Sequence, residues 1–325
     1  MTIEIKSDLF EDIKNLQDVN QLLAIFIDRG RYLFFCDITK IKDTDLYKSL
    51  LPIDKSLIEE YFNRFVQESY KPNYFVANET SEVDFDILEA KRFFNQPLIL
   101  ILENSLNDGF FINSLLKEFK LEAELISSHK KNGWFKYGNA GGCGNIKNFI
   151  EEEKNAFNSL PKANHVYLRC FVLVDSDKKF LLDKNGERHD LISYLRDNNV
   201  DYHVLEKREM ENYMHEDVLS EIEGNNDYIR VYKSLSSEQK DFFDIEKGFN
   251  KKNRKSLSEP VSNLYADLSD DDYKVLRNGL NYKKFKADFP KLFKVVTKVQ
   301  FQERTKYQSN PKELEDILSH ITELL

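Results

Sequence analysis

Two stretches of this chain run apolar without interruption and then stop on acids. Residues 98–102 read Leu-Ile-Leu-Ile-Leu and end on Glu103. Residues 165–177 carry Cys-Phe-Val-Leu-Val before Asp175-Ser176-Asp177. Short, unbroken runs of large and β-branched residues are the pattern of strands buried on both faces of a parallel sheet. Around them the spacing changes to the helical one. Leu9, Ile13, Leu16, Val19, Leu22, Leu23 and Ile27 predict a helix over 7–28, closed by Gly30, and Leu57, Ile58, Tyr61, Phe62 and Phe65 predict another over 56–67. Further helices are expected through 110–116, 145–157 and 191–196, and a last one from Pro311. Additional strands are expected at 32–38, 73–77, 121–126 and 202–205, with a glycine-rich loop at 133–144 and a charged turn at 183–186. Strands alternating with helices between 97 and about 215 predict an α/β fold built on a parallel, doubly wound, Rossmann-like sheet. Three regions follow: an α/β region over 1–95, the sheet domain over 96–220, and a helical region over 221–325.

Length and composition narrow this picture only slightly. The chain has 325 residues, enough for more than one core, and its 41% apolar content is that of a globular protein. No window reaches the length of a membrane span, and no hydrophobic leader core is visible. Cys36, Cys143 and Cys170 show no paired spacing, so neither a disulfide framework nor a zinc site is expected, and a reducing, cytoplasmic setting is the default. The net charge of −9 does not advertise a nucleic-acid binder, but its distribution is uneven. Between residues 273 and 312 there are eleven bases against two acids, Asp288 and Glu303. Such a segment suits either a polyanion or a solvated helical face balanced by acidic neighbours.

The chemistry lies at the strand ends. In open parallel sheets, ligands collect outside the carboxyl edge, and this edge is expected to carry Glu103, Asp175 and Asp177. Glu206, Glu209 and Glu211 follow the short strand at 202–205. Gathering carboxylates raises their mutual repulsion unless a cation compensates, which points to one or two Mg²⁺ or Mn²⁺ ions with oxygen ligands. His203 and His215 are the only histidines nearby, and His203 is expected to be a packed strand residue, so a soft-metal site is disfavoured. The plainer readings are a turn or helix cap for Asp-Ser-Asp, and first-turn acids favouring a helix dipole for Glu206 to Glu211. Trp134, Phe135 and Tyr137 could stack on bases, but packing of their loop is the better expectation.

The order of these parts resembles the TOPRIM domain, the metal-dependent module of topoisomerases, primases and nucleases of the OLD (overcoming lysogenization defect) type. Ile101-Leu-Glu103 is similar to its first element and Val172-Leu-Val-Asp175-Ser-Asp177 to its second. Glu211-Asn212-Tyr213 resembles the Glu-Asn-Tyr element of OLD-type and related phage-defence proteins, and Gly141-Gly-Cys-Gly-Asn145 their glycine-rich turn. The resemblance spans residues 97–220. It implies a nuclease in which Glu103 does acid–base work or binds metal and Asp175 and Asp177 hold Mg²⁺. Glu211, with Glu206 or Glu209, would then serve a second ion. It also implies a catalytic lysine, for which Lys284 is the candidate, with Lys283, Lys284 and Lys286 meeting nucleic acid. Two features depart from the family pattern: Asn104 stands where Gly is usual, and Asp108 lies five rather than four residues after Glu103. No Walker A motif is present, so the ATPase that OLD proteins carry would be a separate subunit. An anti-phage effector similar to those of PARIS systems is the functional expectation, with no membrane partner and with a homodimer left open. The alternatives are an Asp-x-Asp glycosyltransferase, which would leave Glu103 and Glu211 unused, and an inactive TOPRIM interaction module.

Overall fold

A computed structural model of the chain describes residues 1–68, 70–183, 188–251 and 253–325. The expected turn at 184–186 lies outside them. The described residues form two four-stranded sheets, both entirely parallel. The first contains β1 (Thr2–Ile5), β2 (Leu33–Cys36), β3 (Tyr74–Val76) and β4 (Asp84–Phe85), in the order β2-β1-β3-β4. The helices Leu16–Ile27, Pro52–Glu68 and Ile87–Phe94 pack against it around Phe26, Phe34 and Phe94. The helix expected over 7–28 is shorter, because residues 7–15 form two single 3₁₀ turns, with the Asp12 carboxylate accepting from the Lys14 N–H. β1 escaped sequence reading because four residues with only Ile3 and Ile5 facing inward carry too little pattern.

The second sheet holds the chemistry. Its strands are β5 (Leu98–Leu102), β6 (Phe135–Asn139), β7 (Cys170–Val174) and β8 (Asp201–Val204), in the order β6-β5-β7-β8. Every residue of β5 and β7 is buried. Successive side chains point to opposite faces, so Leu98, Leu100 and Leu102 enter one core while Ile99 and Ile101 enter another. Full burial of each such side chain stabilises by about 1.5–3 kcal/mol, which is why these strands tolerate no polar residue before their ends. The first of these cores also contains Phe289, Phe293, Phe301, Ile317 and Ile321. The helices after residue 221 therefore share a core with the sheet rather than building one of their own.

Residues 121–126 do not form a strand. Leu121 is 86% exposed, and the helix Glu124–Asn132 begins within this stretch. Only Ile126 there is β-branched, and Glu, Ala and Leu favour a helix. The strand lies instead at β6, inside the region read as a glycine-rich loop. As an edge strand it pairs only with β5, and Gly138 within it has a reason: a Cβ there would stand 2.9 Å from both Ile99 and Phe149. Trp134 and Phe135 are buried, so the aromatic residues of this segment pack. Among the described residues, no helix is long and apolar enough to cross a membrane.

Candidate functional site

β5 and β7 are neighbours, so their carboxyl ends open side by side. After β5 the chain turns into the helix Ser105–Glu118, with Asn104 as its N-cap at φ −137°. That is ordinary extended backbone, and the turn needs no glycine there. The Asn104 N–H donates to Asp108 Oδ2 at 2.8 Å, which ties Asp108 back to the strand end. The glycine turn wraps Glu103 from the other side, the Gly142 N–H donating to the Glu103 carbonyl at 2.8 Å. Gly141 and Gly142 have φ of 75° and 120°, where only glycine is unstrained.

After β7, Asp177 takes a left-handed conformation with φ 53°, which Asp tolerates better than most residues. It is held there by the segment following β8. The Asp177 N–H donates to the Arg208 carbonyl at 2.9 Å, Ser176 Oγ donates to the Lys207 carbonyl at 2.7 Å, and the Met210 N–H donates to Asp175 Oδ1 at 2.9 Å. Three chain segments are thereby stitched around one cleft. Glu103, Asp108, Asp175, Asp177, Asp183, Glu209 and Glu211 line it, together with Lys179, Arg188, Arg208, Lys247 and Lys286.

Burial makes five of these acids, Glu103, Asp108, Asp175, Glu209 and Glu211, hold protons more tightly. Burial, then the charges of Glu211 and Glu103, push the Asp175 carboxyl well above its usual range. Burial also raises Glu103 and Glu211. It takes Asp108 to about 7, helped by the charges of Glu211 and Glu103, and Glu209 to about 7, helped by Glu211.

Arg188, which sequence reading missed, sits among these acids. Its guanidinium is buried at the start of the helix His189–Asp197, with Nη2 2.5 Å from Glu103 Oε1 and 2.9 Å from Asp177 Oδ2. Its Nε donates to the Asp175 carbonyl at 3.0 Å. Burial lowers its proton affinity, but the charges of Glu103 and Asp177 more than restore it. The only available signal was indirect: acids gathered on one edge require a cation from somewhere.

The Glu-Asn-Tyr segment divides its labour. Glu211 faces the cleft, whereas Asn212 is fully buried and donates to the carbonyls of Lys240 and Phe243 at 2.8 Å each. Tyr213 donates to the buried Glu313 carboxylate, which also lies 2.8 Å from His203 Nε2. Arg304 donates to the Asn212 carbonyl at 2.7 Å and pairs with Asp241 at 2.8 Å, and the fully buried Lys207 reaches the same Asp241 at 2.5 Å. Burial and the neighbouring Arg304 lower Lys207 to about 8. The carboxyl-terminal helices thus clamp the backbone that presents Glu209 and Glu211.

Several expected members fall elsewhere. Glu206 lies outside the cleft, its Oε1 accepting from the Asn310 N–H at 3.0 Å. Lys283 lines a different groove beside Asp217, Glu221 and Glu223. Lys284, the candidate catalytic lysine, is exposed, adopts φ 56° and is absent from the cleft wall. Lys286 is the one of the three that lines the cleft, where it pairs with Glu246 at 3.2 Å. The three lysines diverge because a tight left-handed turn separates them. Part of the basic segment is balanced by acidic neighbours. Lys274, Lys286, Lys291, Lys298 and Arg304 are all in ion pairs.

The acids of the cleft offer carboxylate oxygen, which suits a hard divalent cation, and Cys143, its thiol raised by burial, is a single soft donor on the same wall. These side chains are not drawn in around one point: among the described residues, no three His, Cys, Asp or Glu side chains form a metal-holding group. Comparison of the chain with protein-family models, with curated proteins and with solved structures found no match.

Proposed function

We propose that this chain is a divalent-metal-dependent nuclease with a doubly wound TOPRIM-type sheet, cutting phosphodiester bonds in DNA or RNA. The observation that carries this reading is the set of proton-hungry carboxylates at the carboxyl edge of one parallel sheet, beside Lys179, Lys247 and Lys286. Acids this crowded suit a cation, and cations on the same wall suit a phosphate backbone. Glu103, Asp175 and Asp177 would hold Mg²⁺ or Mn²⁺, with Asp108, Glu209 and Glu211 available to a second ion. Bound there, such ions supply an activated water and stabilise the leaving oxygen. The chain's own part is positioning. Lys286 and Lys247 hold phosphate oxygens. The defence role, with a separate ATPase subunit in the cytoplasm, rests on the TOPRIM resemblance alone.

The test is cleavage of DNA and tRNA by the purified chain with Mg²⁺, Mn²⁺ or EDTA. Glu103→Gln and Asp175→Asn should each lower the rate at least about a hundredfold while the circular dichroism stays unchanged. Cleavage that persists in EDTA, or in both variants, refutes the reading. A second reading, an inactive interaction module, draws on one observation, the pairing of Arg188 with two of the three principal carboxylates. It requires that no nucleic acid be cut even under saturating Mn²⁺.

A further inference from the structure

The carboxylates of the cleft are not treated alike. Glu103 and Asp177, from different strand ends, share one guanidinium nitrogen, Arg188 Nη2, at 2.5 Å and 2.9 Å. Among the described residues, Asp108, Asp175 and Glu211 are in no ion pair, although they lie in the same wall. Asp175 and Asp108 each accept a backbone N–H instead, from Met210 and Asn104. A guanidinium nitrogen within reach of two carboxylates stands where an ion shared by them would stand. Two cations cannot occupy that position together, because like charges at such separations repel strongly even with effective screening.

We infer that Arg188 is the resident cation of this cleft: it holds Glu103 and Asp177 in the metal-free chain and gives them up when a divalent ion binds. This inference rests on the metal-dependent reading above. The exchange breaks the two Arg188 side-chain ion pairs and leaves the Nε contact to the Asp175 carbonyl free to persist. Arg188 then faces the cleft as a positioning residue, its planar fork available to a phosphate group. Metal loading and the freeing of an anion-binding arginine become a single event.

The experiment is calorimetric titration of the EDTA-stripped chain with Mn²⁺, comparing wild type, Arg188→Gln and Arg188→Lys. Removing a competing charge-assisted pair should tighten Mn²⁺ binding about tenfold in Arg188→Gln, with Arg188→Lys between it and wild type. Equal or weaker binding by Arg188→Gln, with wild type still binding, overturns the inference and leaves the metal-dependent reading standing. Failure of wild type and both variants to bind Mn²⁺ overturns the two together. Should Arg188→Gln not fold, the wild type decides the matter through the Arg188 Nη–H resonances, whose nitrogen makes both ion pairs, assigned with Arg188→Lys and followed through a Mg²⁺ titration. A resonance that shifts and exchanges faster with solvent as Mg²⁺ is added supports exchange, and one that stays unchanged while Mg²⁺ binds overturns it.

Discussion

Asp108→Asn should stabilise the metal-free protein, and only above acid pH. Asp108 is partly buried beside Glu103 and Glu211, and its carboxyl is raised from an ordinary 3.8 to about 7. An acid whose folded-state value exceeds its unfolded one weakens the fold. The penalty is absent below the unfolded value, grows as pH rises toward the folded one, and is complete above it. A change from 3.8 to about 7 corresponds to a ceiling of about 4 kcal/mol. Much of that is shared with neighbouring acids and screened by solvent at the cleft mouth, so about 1–2 kcal/mol is the expected gain at pH 8. Asn keeps the shape and still offers an oxygen to the Asn104 N–H, so the substitution removes the charge with little else. Urea denaturation in EDTA at about pH 3, 5 and 8 measures it: the variant and wild type should nearly coincide at the lowest pH and separate progressively. A gain that is the same at every pH, or a loss at pH 8, refutes the argument that desolvated charge in this cleft destabilises the metal-free chain.

Further expectations distinguish the parts of the site. Lys286→Gln should weaken nucleic-acid binding and reduce its log–log salt slope by about 0.9, whereas Lys284→Gln should leave both unchanged; filter binding across a salt series separates them. Arg304→Ala should cost about 1.5–3 kcal/mol by thermal or urea unfolding, because it removes the charged donor to the Asn212 carbonyl in the interior and leaves Asp241 with Lys207 alone. Its cleavage rate should fall as well, since the segment presenting Glu211 loses its clamp. Leu100→Ala, in the middle of β5, should cost about 2–5 kcal/mol by the same assay, and a cost near zero would contradict the burial of that strand.

The sequence by itself determined β5 and β7 and the acids that close them. A strand buried on both faces can carry only apolar residues, so its pattern is written in contiguous positions, and the first carboxylate marks where burial ends. Glu103, Asp175 and Asp177 were legible for that reason, and parallel pairing of the two strands was enough to bring them to one edge. The helices 56–67, 145–157 and 191–196 were legible through their spacing. Other features were decided only when distant segments met. β6 is an edge strand with glycine inside it, and its partner β5 rather than its own propensity makes it a strand. Glu206, Glu209 and Glu211 look alike in the sequence, yet the pairing of Asp175 to Met210 and of Asp177 to Arg208 turns two of them into the cleft and leaves Glu206 with Asn310. Lys284 and Lys286 are two residues apart, and the left-handed turn at Lys284 separates their fates. Arg188 had no local signature at all. A guanidinium is recognised as part of a site by the carboxylates it reaches, and those come from strand ends eighty-five and eleven residues away.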